Sequence, residues 1–262
     1  MTSAFGSATP TAILEDPRLM RREHSVEINT VSVYEAATRQ GLWVVVPAYN
    51  EETVIGDTLD GMFPFAGVVV VVDDGSDDRT REVANQHGAI VLRHAVNLGQ
   101  GAALQTGIAY ALRAGATHVA TFDADGQHDP RTLPQMLDLL TSRELDVVLA
   151  SRFLGSTVSM PPPKRIALKL ALTFTKLQTR LALTDTHNGL RMFTAAAARR
   201  MRLHQAGMAH ASEILSEIAR LELHYAEIAS ILTYTEYSKN KGQPISNAVR
   251  IAFEIFYQAW SR

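Results

Sequence analysis

The feature that most limits the fold of this chain is the run Val68-Val69-Val70-Val71-Val72, cut off by Asp73-Asp74-Gly75-Ser76. β-Branched side chains are stiff and favour extended backbone. An unbroken apolar run also has no polar face to offer water, so the segment reads as a strand buried on both sides. Strands of that kind belong to parallel sheets covered by helices. The pattern recurs: Leu42 to Pro47 is apolar and gives way to Tyr49-Asn50-Glu51, and Ala89 to Leu92, His118 to Phe122 and Asp146 to Ala150 follow. Between them, Glu51 to Met62, Asp77 to His87, Ala102 to Ala114 and Leu133 to Ser142 read as helices; Val54, Ile55, Leu59 and Met62 show the spacing of one buried helix face. Strand and helix in alternation predict an α/β fold with a mostly parallel sheet flanked by helices.

Residues 1–40 show no sustained period and read as an N-terminal extension. Residues 41–235 read as the main α/β domain, including a helix over Ser212 to Leu223 and a late strand over Ile228 to Tyr234. Residues 236–262 form a C-terminal loop and a helix from about Ile245. Val249, Phe253, Phe256, Tyr257 and Trp260 give that last helix an apolar side suited to core packing or to contact between copies in a homo-oligomer. The 262 residues are 46% apolar, ample for a core, and the net charge of −2 gives no overall pull toward nucleic acid. Absence of cysteine removes disulfides and thiolate chemistry and suits a reducing cytoplasm. No apolar run approaches the roughly 20 residues of a membrane-spanning helix, and no secretory leader is visible at the N-terminus.

In open parallel sheets, ligands bind beyond the carboxyl ends of the strands. Polar clusters fall at that edge: Pro47-Ala48-Tyr49-Asn50-Glu51, Asp73-Asp74-Gly75-Ser76, Asp123-Ala124-Asp125 and Ser151-Arg152. Side chains two apart on an extended backbone share a face, so Asp123 and Asp125 point the same way. Paired carboxylates with Gln127 as a neutral oxygen suit Mg²⁺ or Mn²⁺, and magnesium commonly completes its shell with water and substrate phosphate. The implied partner is a diphosphate. The Asp73 cluster also fits a strand-to-helix turn capped by Ser76 or Asp77, leaving Asp73 or Asp74 to accept from a nucleobase and ribose. Gly99-Gln100-Gly101 lacks the third glycine of a dinucleotide fingerprint and follows the third strand, against a dehydrogenase.

Taken together and in order, VVVPAYNEE, VVVVDDGSDD, NLGQGAALQTGI, TFDADGQHDP and ASRF resemble family 2 glycosyltransferases of the GT-A fold, in the dolichol-phosphate mannose synthase branch that includes polyprenyl-phosphate glycosyltransferases. The resemblance is close over residues 42–195. It implies a nucleotide-binding sheet followed by a helical acceptor region. It also implies Pro47, Tyr49, Glu51 and Asp74 around the donor nucleoside with Asp73 nearby, Asp123, Asp125 and Gln127 at the metal and diphosphate, and Arg152 by the reacting phosphates. The implied activity is metal-dependent, inverting transfer of a hexose from a nucleotide-diphosphate sugar to a polyprenyl phosphate.

Every charge between Lys164 and Arg180 is positive, and Arg165, Lys169, Lys176 and Arg180 share one side of a helix over 164–183, opposite Ile166, Leu170, Phe174, Leu177 and Leu181. Such a helix suits an anionic membrane surface, with the protein peripheral on its cytoplasmic face, and equally suits a solvated basic face. Arg165 is the candidate for the lipid phosphate. DTHNGLR resembles a segment of the family with Leu190 replacing an aromatic residue, and Arg191 there either braces the domain or meets phosphate. Lys239 and Lys241 lie where the family carries a loop that closes over the diphosphate. His210 and Glu213 support the alternative of a soluble or polysaccharide hydroxyl acceptor, with Glu213 as base. His128 has no assigned role.

Overall fold

The computed structural model describes residues 41–158, 172, 176, 179–186, 188–207 and 209–233. The strands are β1 (Leu42–Ala48), β2 (Val68–Asp73), β3 (Ile90–Arg93), β4 (His118–Thr121), β5 (Val147–Val158), β6 (Arg191–Thr194) and β7 (Tyr225–Thr233). The helices with assigned bounds are α1 (Ile55–Met62), α2 (Thr80–Gln86), α3 (Gln100–Arg113), α4 (Thr132–Ser142), α5 (Ala195–Arg200) and α6 (His210–Arg220). All seven strands form one sheet in the order β3-β2-β1-β4-β6-β5-β7. Its pairs are parallel except where β6 runs antiparallel between β4 and β5.

Alternation along the strands divides the core. Val44, Val46, Val69, Val71 and Ala120 face α1, α2 and α4, meeting Ile55, Leu59, Met62, Ala84, Leu133, Met136 and Leu140. Val45, Val70, Val72 and Val119 face the other way, onto Ala103, Leu104 and Ala111 of α3. On that same side Val147, Leu149, Phe193 and Tyr225 pack beneath α5 and α6. These are the two helical layers expected of strands with no polar face.

The structure departs from the sequence reading at identifiable points. α1 starts at Ile55 and not at Glu51, because Asn50 has a φ of 55° and the chain turns through Glu51–Val54 before the helix begins. α2 carries no side-chain cap: Ser76 Oγ instead accepts the Asn50 amide at 2.9 Å. β5 continues to Val158 because β7 pairs along it, resuming after an irregularity at Ser156↔Ile231. The basic helix does not reach residue 183. Thr179 is its last helical residue, Arg180 takes a φ of 58°, and the chain then extends so that Leu181 and Leu183 are buried. Lys176 and Arg180 are exposed, whereas Arg165, Lys169, Lys239, Lys241 and the final helix lie outside the described residues. Among the described residues no helix is long and apolar enough to cross a membrane.

Candidate active site

The loops that leave β1 and β2 are stitched together at the carboxyl edge of the sheet. The Asn50 amide donates to Ser76 Oγ and the Asp77 amide to Asn50 Oδ1, each at 2.9 Å. The Glu51 amide donates to Thr80 Oγ1 at 2.7 Å, and the Arg79 amide to Glu52 Oε2 at 3.0 Å. This leaves Tyr49 at the rim, 39% exposed, with Glu51 partly exposed beside it; Pro47 is buried within β1, in register with Val72.

The acidic pair after β2 turns inward. Asp73 is wholly buried; its Oδ1 accepts the Ser76 amide at 2.9 Å, and Oδ2 lies 3.4 Å from Arg93 Nε. Asp74 is also buried, with Oδ1 accepting the Leu98 amide at 2.9 Å and meeting His94 Nδ1 at 2.6 Å, while Oδ2 accepts the Gly99 amide at 2.7 Å. His94 Nε2 in turn meets Thr106 Oγ1 of α3 at 2.9 Å. These carboxylates therefore hold the floor of the cleft and the start of α3. Asp73 Oδ2 is buried without a hydrogen-bond partner among the described residues.

After β4 the balance is different. Asp123 Oδ1 accepts from Gln100 Nε2, and Oδ2 meets His128 Nε2, both at 3.1 Å. A Cβ on Gly189 would lie 2.1 Å from Asp123 Oδ2, so the carboxylate occupies the space that a side chain there would need. Asp125 is held only within its own turn, by the Gln127 amide at 3.1 Å and by Gln127 Nε2. Burial raises the Asp125 carboxyl and the neighbouring Asp123 charge raises it further, to about 6. Burial also opposes the charged form of Asp123. The hydrogen bond to His128 and the field of Arg191 work against it, and Asp123 is held below the usual carboxylate range.

Opposite this pair, the buried Arg191 guanidinium is lowered to about 10, first by burial and then by Arg152, against the raising fields of Asp123 and Asp185. Arg152 is buried with its Nε 2.6 Å from Asp185 Oδ2, so it fixes the 184–186 segment to β5. His210 Nδ1 meets the Gly207 carbonyl at 2.9 Å. Burial and Arg191 lower its imidazole to about 4, which keeps it neutral. Glu213 accepts the His204 and Gln205 amides, one on each carboxylate oxygen, both at 2.9 Å.

No group of three or more His, Cys, Asp and Glu among the described residues forms a metal-binding cluster. A cation at Asp123 and Asp125 would therefore take two carboxylates, the Gln127 side-chain oxygen Oε1 and small-molecule oxygens, a donor set that fits Mg²⁺ or Mn²⁺. The raised Asp125 fits as well, since a divalent charge relieves the repulsion that lifts it.

Comparison with known proteins is decisive at this point. The pattern of glycosyl transferase family 2 matches residues 43–204. This chain belongs to glycosyl transferase family 2. Its relatives include the UDP-N-acetylglucosamine–dolichyl-phosphate N-acetylglucosaminyltransferase of Methanococcus voltae, 30% identical over 83% of this chain and 94% of that one. The undecaprenyl-phosphate mannosyltransferase of Micrococcus luteus is 27% identical over 79% of this chain and 91% of its own length. The fold matches glucosyl-3-phosphoglycerate synthase from Mycobacterium tuberculosis, solved with Mn²⁺, uridine diphosphate and product, with a TM-score of 0.66 at 18% identity over 86% and 81% of the two chains. The protein is thus a glycosyltransferase with the GT-A fold.

Asp123, Asp125 and Gln127 follow the end of β4, and Arg191 opens β6, paired with Thr121 of β4. The sequence reading missed Gln100, His128 and Gly189, which confine Asp123. Gln100 looked like half a fingerprint, and the contact of His128 depends on strands far away in sequence.

Proposed function

We propose that this glycosyltransferase moves a hexose, with inversion, from a nucleoside-diphosphate sugar to a polyprenyl phosphate on the cytoplasmic face of a membrane, using Mg²⁺ or Mn²⁺. The observation that carries the reading is the close pair Asp123 and Asp125, with Asp125 raised to about 6 by burial and by its partner, facing the buried Arg191 cation. Such a cleft is prepared for a cation and the phosphates it brings.

The bound cation would offset charge on the departing nucleoside diphosphate. Asp123 and Asp125 hold it, Gln127 adds a neutral oxygen, and Arg191 contributes a fixed positive field where negative charge develops. Tyr49 and Glu51 flank the nucleoside at the rim, over the floor that Asp73 and Asp74 brace. Arg152 supports the phosphate side by holding the 184–186 segment.

For the acceptor, support comes from the relatives named for dolichyl and undecaprenyl phosphate, which align along most of their lengths. Chemistry agrees: a lipid phosphate is already an anionic nucleophile and needs positioning, not a base. Glu213, the base that a hydroxyl acceptor would require, is committed to two backbone amides. Arg165, Lys239 and Lys241 complete the reading as acceptor-side cations, and exposed Lys176 and Arg180 face anionic headgroups.

A panel of nucleotide sugars screened by thermal shift with Mn²⁺ identifies the donor; the donor is then offered with a short polyprenyl phosphate and with the matching polyprenol. Sugar should pass to the phosphate alone. Transfer to the alcohol, or to neither, would overturn the proposal.

A further inference from the structure

His128 follows the acidic motif and contributes no group to the donor set just described, yet its side chain is 2% exposed. Burying an imidazole is unfavourable unless its nitrogens are satisfied, and among the described residues only one is: Nε2 meets Asp123 Oδ2 at 3.1 Å, whereas Nδ1 has no partner there. In a neutral ring that asymmetry selects the tautomer. With the proton on Nε2, the ring donates to the carboxylate and leaves a bare acceptor at Nδ1. The other tautomer would set a lone pair against the carboxylate and also bury an unpaired N–H.

The ring is placed by parts of the chain outside its own turn. Its edge packs on Phe122, with ring centroids 5.5 Å apart at an angle of 65°. Its backbone pairs antiparallel with Leu232 at the end of β7, and the Thr233 amide donates to the Gln127 carbonyl at 2.9 Å. Gln100, at the start of α3, holds the other oxygen of Asp123, and Gly189, having no Cβ, leaves the space that the carboxylate occupies beside His128.

We propose that His128 is a positioning residue: it locks the Asp123 carboxylate in its cation-binding orientation and transmits the position of β7 to that carboxylate. A ligand whose rotation is already frozen loses less freedom when the cation arrives, and outer partners of this kind typically contribute about 10- to 100-fold to metal affinity. The inference rests on the reading of Asp123 and Asp125 as cation ligands, and the test separates the two.

The full chain is titrated with Mn²⁺ alone, and free Mn²⁺ is counted by electron paramagnetic resonance, with no sugar donor and no turnover. Gln and Met are nearly the same size, but only Gln can donate from the position of Nε2. H128Q should bind Mn²⁺ within about threefold of the native chain and H128M about 10-fold or more weakly, at similar melting temperatures. Equal affinities for H128Q and H128M would overturn the positioning role while leaving the cation site intact. Binding by the native chain that D125N does not reduce would overturn the cation reading itself, and the positioning role with it. Should H128M fail to fold, H128F keeps the packing on Phe122 without the donor, and the same comparison with H128Q decides.

Discussion

Two acidic clusters stand at the same edge of the sheet, after β2 and after β4, and the chain treats them oppositely. Asp74 accepts two amides and meets an imidazole that is itself braced on α3, so its charge is spent on architecture. Asp123 and Asp125 are set against each other, and burial with mutual repulsion lifts Asp125 to about 6. A carboxylate with backbone donors on both oxygens stabilises a fold; one raised by a like charge is a cost that the rest of the fold carries. The first cluster braces the floor, whereas the second holds a repulsion that a bound cation would relieve.

That contrast breaks most visibly under substitution of Asp125. Asp125→Asn should lower turnover at least about 100-fold while leaving the metal-free chain as stable as the native one or more so. Kinetics and melting curves read the two effects separately. At the other cluster, Asp74→Ala should do the reverse in kind: it leaves the part-buried donors at Leu98, Gly99 and His94 without their acceptor and should cost about 2 kcal/mol, or several degrees in melting temperature. A stable D74A chain would remove Asp74 from the architecture.

The pH dependence follows from Asp125. Its carboxyl lies near 3.8 when unfolded and about 6 when folded, so folding favours its protonated form. That contribution is fully present below 3.8 and is lost as pH rises through about 6. The metal-free native chain should therefore lose stability relative to D125N between about pH 4 and 6.5, on the order of 2 kcal/mol, and saturating Mn²⁺ should cancel the loss. The smallest effect is expected at Glu213: Glu213→Gln keeps one acceptor for the 204–205 segment and should leave turnover within about twofold. A collapse in turnover would restore Glu213 as a base.

Much of the fold was legible because β1 and β2 are apolar runs, and β3 and β4 are short apolar segments between clear helices. β6 was not, since Arg191–Thr194 is four residues long, opens on a charge, and is inserted between β4 and β5 far from either in sequence. In the site, Asp123 and Asp125 could be read from spacing on one extended backbone. An acidic pair after a strand looks the same in sequence whether it faces a ligand or a neighbouring loop, so the Leu98 and Gly99 amides on Asp74 could not be read from it. The role of His128 was hidden for a related reason: the placement of its ring depends on β7, more than a hundred residues later.

The most direct test is to incubate the native chain and D125N with the cognate nucleotide sugar, Mn²⁺ and a short polyprenyl phosphate, and to weigh the lipid products by mass spectrometry. The account predicts a glycosylated polyprenyl phosphate from the native chain that disappears with a chelator and is absent with D125N. An unmodified lipid phosphate beside a glycosylated soluble acceptor, or a product unchanged by chelator and by D125N, would contradict it.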